Sequence, residues 1–297
     1  MKKEKLEFLL SLFLLAVMIS PTFAQDSRKQ IIFAVSNSNG GTWLEPIVQV
    51  ENGKLVDLES EASSSWDNFI KTYYKPKTTY DLIFGGSPSG KVTVLKAEQS
   101  ECSPNFAETS LQSPGVKLGG MVMALATNAK TKKTNGLRRA PTAAERTEIE
   151  QLVRAEFTKQ KTSAAVLKTL RSHNLTALDV DADGKAEFVG TYWVTPSKTS
   201  RALLFFVADK AKNGKYAFSH SEYESIKNDG VMSGDVKDLD GGIYHELLLD
   251  AFDYDGDGTS EIFTIVQAFE GNNFHIYRRE NGKWTRAFET YNYRCGY

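Results

Sequence analysis

The chain has 297 residues, 41% of them hydrophobic and 11% aromatic, with a formal net charge of -1. That near-balance excludes the basic surface a general nucleic-acid or polyanion binder needs. The length suits one large domain or two small ones, and the composition is that of a folded globular chain.

Residues 1–24 read as a secretory signal. Lys2, Lys3 and Lys5 precede an apolar run, Phe8 to Ile19, that is too short to span a bilayer comfortably. Pro21-Thr22-Phe23-Ala24 then offers a small-residue cleavage site, so Gln25 is the expected mature N-terminus. The alternative reading of the same run is an uncleaved N-terminal anchor. Removing residues 1–24 takes away three lysines and two glutamates and moves the formal charge from -1 to -2. The expected location is secreted or periplasmic. In such an oxidising compartment Cys102 and Cys295, the only cysteines, are expected to pair, against the reading of two unrelated thiols.

Residues 25–128 read as an N-terminal β region. Ile31 to Val35, Trp43 to Val50, Tyr80 to Phe84 and Lys91 to Lys96 are short β-type runs with turn residues between them. Ser36-Asn-Ser38-Asn-Gly40-Gly-Thr42-Trp43 is similar to the Asp-box turn, S-x-D-x-G-x-T-W, with Ser38 in place of the aspartate; a plain Gly-Asn turn reads equally well.

Residues 129–170 read as a linker followed by a helical insertion. Lys130 to Arg139 is polar and basic and reads as a solvated loop. Pro141-Thr142-Ala-Ala-Glu145 is a capping box that predicts a helix start, and Ile149, Leu152, Val153 and Phe157 fall on one face of that helix. A second short helix is expected over Ser163 to Leu170, with Val166, Leu167 and Leu170 buried.

Residues 171–297 are the most informative. Strands are expected at Glu187 to Val194, Ala202 to Val207, Tyr216 to Tyr223, Glu246 to Phe252, Glu261 to Phe269, Phe274 to Arg278 and Lys283 to Thr290. Two loops read D-x-D-x-D-G-x-x-E: Asp179, Asp181, Asp183, Gly184 and Glu187 in one, Asp253, Asp255, Asp257, Gly258 and Glu261 in the other. Carboxylates drawn so close repel one another, and a hard divalent cation turns that repulsion into coordination. The expected ligands are the acids at positions 1, 3, 5 and 9 with the carbonyls of Lys185 and Thr259 at position 7, and the expected ion is Ca²⁺. An EF-hand is excluded, because Gly190 and Thr264 occupy position 12 and the flanks are strands. Asp238-Leu-Asp240-Gly-Gly242-Ile-Tyr-His-Glu246 is a degenerate third version and reads as an ordinary turn.

One turn recurs. Asn52-Gly53-Lys54, Asn213-Gly214-Lys215 and Asn281-Gly282-Lys283 each lead into an apolar residue, with Ser89-Gly90-Lys91 a close fourth. Asn-Gly suits a type I′ hairpin, so each C-terminal unit is expected to run strand, acidic loop, strand, strand, N-G-K turn, strand.

Over roughly residues 175–291 the loops resemble the D-x-D-x-D-G-x-x-[DE] loop of the FG-GAP/VCBS repeat family of integrin-like propellers. The resemblance implies a loop joining two strands of a blade and holding Ca²⁺. The fold expected is therefore mainly β, with β-propeller-like four-stranded repeats and a helical insertion near 141–170. A two-domain chain with an N-terminal β-domain ending near Asn128 is the alternative.

No catalytic signature emerges. Gly85-Gly-Ser87-Pro-Ser89-Gly90 breaks the nucleophile-elbow pattern, and Leu249 stands where a second zinc-protease histidine is required after His245-Glu246. His173, His220 and His275 form no ligand-like spacing. The function expected is an exported Ca²⁺-binding module acting as a binding or scaffold element, with an extracellular protein or glycan as partner. The alternatives are a secreted propeller-type hydrolase acting on carbohydrate, which requires carboxylates with an arginine or tyrosine apart from the Ca²⁺ loops, and a surface adhesion protein.

Overall fold

The computed structural model describes residues 29–38, 40–58, 63–98, 105–134 and 136–295. The signal segment and Cys102, and with it the expected Cys102–Cys295 pairing, lie outside the described residues. Among the described residues sixteen strands form three antiparallel sheets, and the expected propeller is replaced by a closed barrel followed by two open sheets.

The barrel uses β1 (Gln30–Ser38), β2 (Gly41–Glu51), β4 (Thr79–Ile83), β5 (Pro88–Ala97), β6 (Ala107–Gln112) and β7 (Ala124–Thr127). The pairing order β1-β7-β4-β5-β6-β2 closes through β1 and β2, and β3 (Lys54–Val56) is a hairpin extension on β2. Helix α1 (Ser63–Tyr73) adds Phe69 and Tyr73 to the barrel core beside Phe33, Tyr74, Tyr80 and Val92. This helix was not anticipated, although Trp66, Phe69, Ile70 and Tyr73 fall at helical spacing.

The run Ile31-Ile-Phe-Ala-Val35 shows why apolar residues follow one another without alternation. Ile31, Phe33 and Val35 point into the barrel, while Ile32 and Ala34 point outward onto the next layer. A strand covered on both faces has no solvent side to keep polar.

That next layer is the sheet of β13 (Glu246–Phe252), β14 (Glu261–Ala268), β15 (Gly271–Glu280) and β16 (Lys283–Tyr293), paired in sequence order. Leu247, Leu249, Phe263, Ile265, Phe274 and Ile276 meet the barrel. Leu248, Ala251, Ile262 and Tyr277 face the other way, onto Val189, Phe205 and Val207 of the third sheet. The third sheet runs β12 (Tyr216–Lys227), β11 (Ser200–Lys210), β10 (Glu187–Ser197), β9 (Arg171–Leu178) and β8 (Arg138–Arg139). Helix α2 (Ala143–Lys159) covers its outer face with Ile149, Val153 and Phe157, all fully buried. The layers are therefore barrel, sheet, sheet, helix.

The α2 start matches its capping box: Thr142 Oγ1 accepts from the Glu145 N–H, and the Glu145 carboxylate accepts from the Thr142 N–H. The second helix is a short 3₁₀ turn, Val166–Thr169, with Val166, Leu167 and Leu170 only partly buried against the same core.

The N-G-K turns at Asn52, Asn213 and Asn281 each close a hairpin, with Asn52 and Asn281 at φ 52° and 51°. Ser89-Gly90-Lys91 lies inside β5, where Gly90 pairs with Leu82. The recurring turn reports local hairpins, which barrels and open sheets use alike, so it carried no information about propeller blades.

The stretch expected to be a solvated basic loop contains a buried ion pair. Arg138 Nη1 lies 2.8 Å from Asp250 Oδ2, with the two side chains 6% and 0% exposed. Asp250 in β13 also accepts from the backbone N–H of Gly85 at 3.0 Å and of Gly86 at 3.3 Å, in the β4–β5 turn of the barrel. Gly85 and Gly86 sit at φ 67° and 70°, the left-handed conformation that aims both amides at one carboxylate. Replacing Asp250 by Ala leaves the Arg138 guanidinium buried without its counter-ion. The variant should lose about 3–5 kcal/mol of unfolding free energy in urea titration, and an unchanged midpoint would refute the assignment.

A buried histidine meets a half-buried one. His245 is fully buried, with its ring 4.2 Å from that of His173 and neither ring nitrogen hydrogen-bonded. Trp193 stacks on His173, and Arg171 and Arg201 lie over the same indole. Asp240, whose charge acts on both histidines, is held by Arg201 at 2.6 Å. Burial, reinforced by His173, pushes the His245 imidazolium down to about 3. The unfolded chain takes up this proton near pH 6.5, so the stability from neutral His245 is complete above that pH and is lost as the pH falls toward 3. The midpoint of urea unfolding should fall more steeply from pH 7 to 4 in the native chain than in a His245→Phe variant. Parallel pH profiles would refute it.

Candidate metal centres

The two acidic loops occupy equivalent places. One joins β9 to β10 and the other joins β13 to β14, each across the first hairpin of its sheet. Their backbones are nearly the same. Positions 4 and 6 are left-handed in both, Ala182 and Gly184 at φ 56° and 81°, Gly256 and Gly258 at φ 80° and 95°. These turns aim amides inward. Asp179 accepts from the N–H of Asp183 and Gly184, both at 3.1 Å, and Asp253 accepts from those of Gly256 at 2.7 Å and Gly258 at 3.1 Å.

Three of the four acids converge in each loop. Carboxylate oxygens of Asp179, Asp181 and Glu187 lie within 4.8 Å of one another, and so do those of Asp253, Asp255 and Glu261. The position-5 acids stand apart from these groups. Asp183 accepts from the Lys185 N–H at 2.7 Å and pairs with Lys185 Nζ at 2.5 Å, which holds its carboxyl below the usual carboxylate range. Asp257 accepts from the Thr259 N–H at 2.8 Å. The N–H groups of Lys185 and Thr259 thus hold the position-5 carboxylates in place.

Two side chains unnoticed in the sequence face these clusters. Arg279 reaches Asp181 at 2.7 Å, Glu187 at 3.0 Å and Asp209 of β11 at 3.0 Å, and its guanidinium lies over Trp284. Its neighbour Arg278 reaches Asp255 at 3.0 Å and Glu261 at 3.3 Å and contacts the Tyr254 hydroxyl. The signal available in the sequence was a pair of cations ending the strand before an N-G-K turn.

Each triad therefore carries three carboxylates against one guanidinium. Burial pushes the Glu187 carboxyl up to about 7 and that of Glu261 up to about 8. Glu187 has both oxygens engaged, one by the Val180 N–H at 3.1 Å and one by Arg279. Glu261 is 2% exposed, and its Oε2 has no hydrogen-bond partner. A buried carboxylate oxygen without a donor, beside two more carboxylates, is a position a cation fits. The first loop also borders a hollow of about 210 Å³ shared with Asp209 and Lys210 of β11.

The degenerate third motif forms no such group. Val236–Gly241 is a 3₁₀ turn, Asp240 pairs with Arg201, and Glu246 lies in β13.

No family model matches the chain, and neither a curated protein nor a solved structure is similar to it; with a barrel and two open sheets in place of blades, the FG-GAP/VCBS assignment does not stand.

Arg279 is the one described cation that touches the first triad and Asp209 together. Arg279→Ala should lower the unfolding free energy by roughly 1–3 kcal/mol, the usual loss for hydrogen bonds between charged groups. Chemical denaturation without added metal measures it, and a loss below a few tenths would show that the guanidinium is incidental.

Proposed function

We propose that this chain is an exported module that binds Ca²⁺ at its two acidic loops and acts as a binding or scaffold element toward an extracellular protein or glycan. The ion is structural. The observation that carries the reading is Glu261 Oε2, buried and undonated within a carboxylate triad. The donors are all oxygens, which a hard cation prefers. Oxygens bound to one Ca²⁺ stand at most about 5 Å apart, twice the usual bond length, so each triad fits within a single coordination shell. Two carbonyls, those of Lys185 and Thr259, and water complete the proposed shells, with Asp183 and Asp257 acting through water. Export is supported by the basic start, short apolar run and Ala24 cleavage site of residues 1–24.

A cation joining β9 to β10 and β13 to β14 stabilises each hairpin by mass action. Calorimetric titration of the mature chain with Ca²⁺ should show binding, and EDTA should lower the melting temperature. Glu261→Gln should abolish the second loop's share of the heat while leaving the first. No heat and no EDTA effect would sink the proposal.

A further inference from the structure

The two central sheets pack tightly at one end, through Leu248, Ile262 and Tyr277 against Val189 and Val207. Elsewhere they leave a cleft of about 420 Å³, within the usual size range of small-molecule sites. It is separate from both acidic loops: none of their acids lines it.

Its floor is a buried polar network. Glu246 is 7% exposed and accepts from Thr264 Oγ1 at 2.6 Å, the Tyr277 hydroxyl at 2.8 Å and His275 Nδ1 at 3.0 Å. Burial, then the Glu246 charge, raises Tyr277 far above the ordinary phenol range, so its hydroxyl remains a donor. His275 Nδ1 faces this carboxylate, and in the neutral Nδ1–H tautomer the other ring nitrogen, Nε2, is an acceptor. The His275 side chain is 8% exposed, lines the cleft and makes no hydrogen bond through Nε2; Glu289 Oε1 lies 4.0 Å away.

The rim is acidic and rich in acceptors. Glu222, Glu224 and Glu289 line it with one cation, Arg286. Arg286 is fully engaged, with Glu222 at 2.6 and 2.7 Å and with Glu289 at 3.1 Å. Glu224 stands at the mouth of the cleft, where partial desolvation and the Glu222 charge both raise its carboxyl. The walls are Phe205, Tyr244, Leu203 and Val266. Acceptors and negative charge exceed donors, and aromatic faces stand beside them. What complements such a cleft brings hydrogen-bond donors and a positive charge on an organic frame.

We propose that the cleft between the two central sheets is a binding site for a small organic ammonium ion, whose N–H groups are accepted by His275 Nε2, Glu289 and Glu224 while its carbon frame lies on Phe205 and Tyr244. The site is independent of Ca²⁺.

The probes are putrescine, lysinamide and glucosamine, with glucose and acetate as neutral and anionic controls, titrated into the mature chain by calorimetry with saturating Ca²⁺ and again with EDTA. At least one amine should bind while glucose and acetate do not; which amine binds separates a polyamine, a lysine-like side chain and an amino sugar as the source. Glu224 and Glu289 lie on the surface, so the double variant Glu224→Gln/Glu289→Gln should keep the native melting temperature and lose at least about tenfold in amine affinity. The proposal is overturned if no amine binds, if glucose binds as well as glucosamine, if Zn²⁺ binds in the cleft and no amine does, or if the double variant binds amines as the native chain does.

Discussion

Asp250 is the carboxylate on which the arrangement of layers depends. It lies in the strand that opens the middle sheet, yet most of its donors come from elsewhere: two amides of a barrel turn and the guanidinium of Arg138. Arg138 belongs to β8, the edge strand of the outer sheet. One buried anion thus fixes barrel, middle sheet and outer sheet to one another. Arg138 also donates to the carbonyls of Met123 and Leu249, so both ends of the pair are anchored in backbone. A charge so buried is tolerated only because every neighbouring polar group is aimed at it, and the register of three elements follows from that demand.

A second clamp repeats the logic at the other edge. Glu45 of β2, 5% exposed, accepts from Asn272 at 2.7 Å, Asn292 at 3.0 Å and Arg294 at 2.8 Å. Between the clamps the contact is apolar: Ile32, Val48 and Leu125 of the barrel against Leu249, Phe263 and Phe274. Burying each of these side chains contributes roughly 1.5–3 kcal/mol, so apolar area supplies the adhesion. The ionic clamps supply the alignment, since oily faces alone would slide.

What the sequence disclosed divides by range. The acidic loops, the Asn-Gly hairpins and the α2 capping box are written within a few consecutive residues, and each lies where its pattern put it. The order of the middle sheet and of β9 to β12 was equally legible, because each of these strands pairs with its sequence neighbour, whereas β8 lay in the stretch read as a linker. Ring closure was not, because β1 pairs with β7 across some ninety residues and no local pattern encodes a partner so distant. The basic stretch before α2 read as solvated loop because composition says nothing of what a side chain meets, and Arg138 meets Asp250. The same limit hid Arg278 and Arg279. His245 and His275 find His173 and Glu246 only after folding.

The backbone N–H of Ser260, at the end of the second loop, donates to the carbonyl of Val180 in the first at 2.8 Å. Arg278 and Arg279, adjacent in one strand, serve one loop each. The two loops are therefore joined twice, by a backbone strut and by a shared dipeptide. The position of each arginine is therefore constrained by its neighbour's seat in the other triad. The two acidic loops thus form one connected structural unit, not two separate turns.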